Sequence, residues 1–175
     1  TKEEDQYFQL ENALMWWGRS FATLGYGYEG GHVKLDLLNR KGKYNNGFCH
    51  YPKTVYEKDG LMVPGAAGFT CNAVVGQVGS GLQTMVTLFH EGAHACDRLN
   101  SKMPDACLNH EYPPASTSWA ETHSMFADRM FSSIEWKMRY AKNDKGESYP
   151  FDLFERKVKK LHPLKSSDLM SIMFV

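Results

Sequence analysis

The stretch TLFHEGAHACD, Thr87 to Asp97, decides the reading of this chain, because it sets two histidines four residues apart inside a helical pattern. Leu82, Met85, Val86, Phe89 and Ala93 recur at helical spacing from an opening at Ser80-Gly81, so a helix is expected to run to about Asn100. On such a helix, residues i and i+4 project from one face about 6 Å apart along the axis, close enough for the imidazoles of His90 and His94 to converge on one ion. Glu91 points about 100° away around the axis and can stand beside a metal-bound water without being a ligand itself. Two neutral nitrogen ligands and a carboxylate base are what a zinc hydrolase needs. The bland alternative is a polar helix face with two solvated histidines.

A catalytic zinc takes three protein ligands and leaves one position to water, so a third ligand is sought. A Gly three residues and a His six residues after the second histidine would mark the metzincins; Asp97 and Asn100 stand there, which excludes that class. Asp97 shares a face with His90, but seven helical residues separate them by about 10.5 Å, which leaves it a supporting or solvated role. His110 and Glu111 fall in Ser101 to Ser116, a stretch with Pro104, Pro113 and Pro114 that reads as a loop. Glu121 is the better candidate: it lies on the next helical pattern, Thr117 to Ala141, and a helix-loop-helix can bring two polar faces together. Its ordinary alternative is a surface glutamate. His123, two residues on, is expected to point away from the metal, and Cys96 to be buried packing. His32, His50 and His162 read as surface or capping residues.

Further out, Leu10 to Leu24 carries apolar residues at helical spacing and stops at Gly25. HVKLDLL, His32 to Leu38, alternates as a half-buried strand does, with NRKGK as the following turn. AGFTCNAVV, Ala67 to Val75, is a second strand candidate, and Phe151 to Leu161 and Ser166 to Met173 are short helix candidates. The methionine and aromatic stripe from Trp119 to Trp136 reads as core. The run ERKVKK, Glu155 to Lys160, reads as a solvated helix face.

The chain has 175 residues, 42% of them hydrophobic, enough for one substantial core. Lys plus Arg and Asp plus Glu are 20 each, so no overall field draws it to nucleic acid or to an acidic membrane surface. Cys49, Cys71, Cys96 and Cys107 match no metal knuckle and no dense disulfide framework, which favours free thiols in a reducing, cytoplasmic setting. No apolar run approaches about 18 residues.

With these residues in view, the chain resembles the thimet oligopeptidase and oligoendopeptidase group of zinc metallopeptidases, members of the gluzincins. GHVKLDLLNRKGKYNNG is similar to that family's strand and turn, with Asp36, Arg40, Gly42 and Lys43 in matching places. AAGFTCNAVV, with Asn72, resembles the next strand. TLFHEGAHA resembles the His-Glu-x-x-His helix, and ETHSMFAD the third-ligand helix, with Glu121, Ser124 and Phe126 in register. The likeness spans roughly Gln9 to Phe131. It implies a mostly helical α+β, zincin-like core with a small sheet, an active-site helix and a third-ligand helix. It implies Zn2+ held by His90, His94 and Glu121, Glu91 as general base, and hydrolysis of short peptides. The substrate is expected to lie along AAGFTCNAVV as an edge strand.

The chain departs from the family in three ways. Gly92-Ala93 replaces a bulky residue followed by Gly, which keeps small size at the helix. Asp97 stands where many members have a further His. The family's later loop of His and Tyr residues, which holds substrate and stabilises the oxyanion, has no recognisable copy around Tyr140, Tyr149 or His162. Residues 1–175 are therefore expected to be one catalytic core, a fragment of a larger helical metallopeptidase. The other readings are a catalytically silent zincin-like module kept for binding, and a structural helical domain.

Overall fold

The computed structural model of the chain describes residues 2–103 and 117–160. The fold is α+β, with roughly half of these residues helical. Its elements are α1 (Lys2–Asp5), a 3-10 turn (Leu10–Asn12), α2 (Ala13–Thr23), β1 (His32–Leu38), β2 (Phe48–Lys53), β3 (Val55–Lys58), β4 (Leu61–Val63), β5 (Ala66–Ala73), α3 (Ser80–Asn100), β6 (Lys102–Met103), α4 (Thr117–Ser132) and α5 (Ile134–Tyr140). A last helix, α6, covers residues 151–160.

One sheet has the order β1-β5-β2, with β1 parallel and β2 antiparallel to β5; a smaller one has the order β4-β3-β6. This overturns one expectation: AAGFTCNAVV is the central strand, not an edge. Its burial explains the place, since Ala67, Phe69 and Cys71 are buried together with Gly68 and Thr70, and only a strand covered on both faces hides successive residues. β2, which the sequence reading did not find, is an edge strand, as is β1 on the other side of β5. The residues of β2, FCHYPK, carry a proline and no clean apolar alternation, so pairing with β5 rather than its own pattern makes it a strand.

The turn between β1 and β2 is tied to the sheet by one buried cation. Lys43, its side chain 4% exposed, donates to the carbonyls of Asp36 (2.7 Å), Leu38 (2.9 Å) and Cys71 (2.5 Å) and to the Asp36 carboxylate. Arg40 grips that carboxylate with two hydrogen bonds, and Arg40 and then Lys43 hold it well below the usual range. Asn72 Nδ2 donates to Tyr44 O and Asn45 O. The GHVKLDLLNRKGKYNNG segment thus delivers Gly47 and the start of β2 to a set place.

α3 packs on the sheet, and Met85, Leu88, Ala95 and Leu99 along it are all fully buried or nearly so. Behind it Phe89, Phe131 and Trp136 form an aromatic cluster with ring centroids 4.8 to 5.5 Å apart. Two glycines permit close crossings. A Cβ on Gly81 would stand 1.7 Å from Phe8 O, where the N-terminal segment crosses the first turn of α3. A Cβ on Gly92 would meet the Trp17 ring at 2.7 to 3.1 Å.

Thr117 to Ala141 is not one helix. Ser133 adopts an extended conformation and caps α5, its Oγ accepting from Trp136 N, because a serine hydroxyl offers the backbone an alternative to continued helix. Nor is the stripe from Trp119 all core. Ala127, Phe131 and Trp136 are buried, whereas Trp119, Met125 and Phe126 are exposed, since α4 turns its small residues to α3. The ERKVKK helix face is only partly solvated: Lys157 pairs with Glu4, a carboxylate with no exposed surface that also meets Lys137 and Tyr149. The expected helix at Ser166 to Met173 and most of the proline-bearing segment, with Cys107, lie outside the described residues.

Candidate metal centre

α3 presents His90 and His94 one turn apart, and their rings lie 5.0 Å apart. α4 crosses α3 with Ser124 and Ala127 fully buried, small side chains that let the two helices approach. That approach brings Glu121 in. Its Oε2 lies 3.2 Å from His90 Nε2 and 3.1 Å from His94 Nε2, and the three donor atoms fall within 4.8 Å of one another. Zinc bonds of about 2.0–2.2 Å in a tetrahedron place neighbouring ligand atoms about 3.3 Å apart. Two imidazole nitrogens and a carboxylate oxygen at this spacing form a group that could hold a metal ion.

The second nitrogen of each imidazole is also engaged. His90 Nδ1 lies 3.0 Å from Asp128 Oδ2, and His94 Nδ1 lies 3.1 Å from His123 Nε2. A partner on Nδ1 fixes the ring and leaves the Nε2 lone pair available to a ligand in the cleft. Ser124 Oγ donates to Glu121 Oε2 at 2.7 Å, orienting the third donor in the same way.

The electrostatics follow from these contacts. The Asp128 carboxylate raises the pKa of His90, so a metal ion there competes with a proton. Burial lowers that of His94, favouring the neutral ligand form. Burial pushes the Glu121 carboxyl up, yet the Ser124 hydroxyl and the two imidazoles outweigh it and hold it below its ordinary value. Glu91 is different: buried, it is raised above the usual carboxylate range by desolvation, with His90 opposing and Glu121 and Asp128 adding to the effect.

These groups line an open cleft of about 620 Å³. It is lined by Gly47, Phe48 and Tyr51 at the β2 edge and by Trp119 and His123 on α4. Burial raises the thiol of Cys49, which also lines the cleft, to about 12.

His90, His94 and Glu121 are brought together as the sequence suggested, and Glu91 opens on the same cleft. His123 does not point away. Residues two apart on a helix diverge at Cβ, but an imidazole reaches far enough to meet the ring of His94. Asp97 takes a supporting place, its Oδ2 3.8 Å from His123 Nε2. Cys96 donates to Gly27 O and is partly buried. Asp128 was missed, although its spacing of seven from Glu121 puts both on one helix stripe. His110, Glu111 and His162 lie outside the described residues.

No protein-family model matches the chain, and no curated protein sequence matches it. Among the described residues no helix is long and apolar enough to cross a membrane, and Cys49, Cys71 and Cys96 are free thiols.

Proposed function

We propose that the chain is the zincin-like core of a zinc-dependent metallopeptidase that hydrolyses short peptides. The observation that carries this reading is the convergence of His90, His94 and Glu121 on one point of an open cleft, beside a buried carboxylate, Glu91. A zinc ion held by these three residues supplies a Lewis acid for the peptide carbonyl and a water nucleophilic near neutral pH.

The chain's own residues do the rest. Asp128, His123 and Ser124 keep the three ligand atoms aimed inward. Glu91 takes a proton from the attacking water, and its raised pKa suits both taking that proton and passing it to the leaving amine nitrogen as the C–N bond breaks. β2 pairs with no described strand on its outer side and borders the cleft, so an extended peptide can add there through backbone hydrogen bonds. Such pairing demands little of the peptide's side chains, which suits short peptides of varied sequence. The free thiols fit a reducing cytoplasm.

The test measures zinc content and peptide hydrolysis in the wild type and in Glu91→Gln. Near one zinc per chain in both, with the variant slower by about 10²–10⁴, is the expected result. Equal rates at equal zinc content would remove Glu91 from the reaction.

A further inference from the structure

We propose that Arg98 reads a carboxylate of the bound peptide, so that the cleft selects peptides carrying negative charge about three residues from the bond that is cut. The inference rests on the metallopeptidase reading and adds a substrate class to it.

Arg98 lies four residues beyond His94 on α3, hence on the same face and one turn further along. Its side chain lines the same cleft, where it is the only Lys or Arg among the described lining residues. No carboxylate among the described residues forms an ion pair with it. The adjacent acid, Asp97, is turned to His123 instead. The helix dipole favours a cation in a last turn, but that does not account for one lodged in the cleft.

What lodges it there is Tyr51. The guanidinium carbon stands 5.0 Å from the centroid of the Tyr51 ring, a cation–π contact that holds the planar group while leaving its N–H edges available. Tyr51 belongs to β2, the edge strand that borders the cleft. At the other end of that border a Cβ on Gly47 would stand 2.9 Å from Thr87 and 3.6 Å from Glu91 Oε1. β2 therefore runs beside α3 in the same direction, with Gly47 at Glu91 and Tyr51 at Arg98.

A peptide lying along β2 passes both residues. Seven helical residues span about 10.5 Å, or about three residues of extended chain. A carboxylate at that distance from the reacting carbonyl meets a fork of donors built for bidentate pairing. An acidic side chain and a free C-terminus present the same chemistry.

The experiment uses alanine-rich octapeptides with one Glu or one Gln at each position in turn, each with a free or amidated C-terminus. They are tried on wild type, Arg98→Gln and Arg98→Lys. In the zinc-loaded protein the preferred acid should be cut with a kcat/KM about tenfold above its neutral counterpart. That ratio should fall to near one in Arg98→Gln and survive in part in Arg98→Lys. The arm that shows the preference separates side chain from C-terminus.

The second readout is calorimetric binding of the same pairs to metal-free protein, where no ion can hold a carboxylate. An acid-to-neutral affinity ratio of about tenfold is expected in the wild type, lost in Arg98→Gln. Ratios near one in the wild type, or ratios unchanged by Arg98→Gln, overturn the inference. Failure of zinc-loaded protein to cut any peptide would count against the metallopeptidase reading, and the metal-free ratio would still decide the role of Arg98.

Discussion

Replacing Gly92 by alanine sets two effects of known sign against each other. Alanine in place of a helix-interior glycine gains about 1 kcal/mol in propensity. At Gly92, however, the added Cβ would meet Trp17 Nε1 at 2.7 Å, Cζ2 at 3.0 Å and Cε2 at 3.1 Å. Trp17 has little room to yield, since its ring packs against Phe21, Tyr28 and Phe69 with centroids 5.4 to 6.3 Å away. Overpacking typically costs about 1–3 kcal/mol, and a contact as close as 2.7 Å belongs at the upper end, which exceeds the propensity gain and leaves a net loss of about 1–2 kcal/mol. In a chain of this size that lowers the melting temperature by about 3–6 °C. Gly18, in α2, provides the opposite case: it is exposed, and a Cβ there meets nothing within 4 Å. Gly18→Ala should raise stability by about 1 kcal/mol. Thermal unfolding followed by circular dichroism reads both. If Gly92→Ala stabilised the protein as Gly18→Ala does, the close crossing of Trp17 over the His-Glu-x-x-His helix would be refuted.

Asp128→Ala and His123→Ala should each weaken zinc binding by about 10–100-fold, because each leaves a ligand imidazole without its Nδ1 partner. Competition with a chromophoric chelator measures this, and unaltered affinity in both would remove them from the site. Glu121→Gln should reduce zinc to well below one per chain, as metal analysis after dialysis would show. Burial raises the Glu4 carboxyl, but Lys157, Lys137 and Tyr149 outweigh it and hold it below its ordinary value. Its stabilisation is therefore complete above the unfolded carboxylate pKa and is lost as pH falls through the lower folded value, below about pH 4. Melting temperature against pH should fall more steeply there in the wild type than in Glu4→Gln; matching slopes would contradict the assignment. At pH 7 Glu4→Gln should also lower the melting temperature, since the buried contacts that the carboxylate makes with Lys157, Lys137 and Tyr149 are weakened.

Much of the helical half was legible because its signals are local. Ser80 to Asn100 repeats apolar residues at helical period, and that period by itself puts His90 and His94 on one face. Gly25 stops α2 in a left-handed conformation, as a glycine after a periodic run suggests. The break at Ser133 was missed because the apolar period continues across it, and only the side-chain cap divides the two helices. Strands were harder. FCHYPK and VYEK carry weak patterns of their own and become strands through their partners, β5 for the first, and for the second the distant β6 together with β4 across the tight Asp59-Gly60 turn.

By itself, then, the sequence determined what one helix can determine: two imidazoles a turn apart and a carboxylate between them set to one side. Only the tertiary structure decided which strand is central and which edge strand borders the cleft, that Glu121 meets both imidazoles at one oxygen, and that Asp128 and His123 stand behind them. The physical reason is range. Helical spacing is dictated by backbone geometry over four residues, whereas the angle and depth at which α4 crosses α3 depend on Ser124, Ala127, Phe89 and Phe131 packing together, and no local pattern encodes that fit.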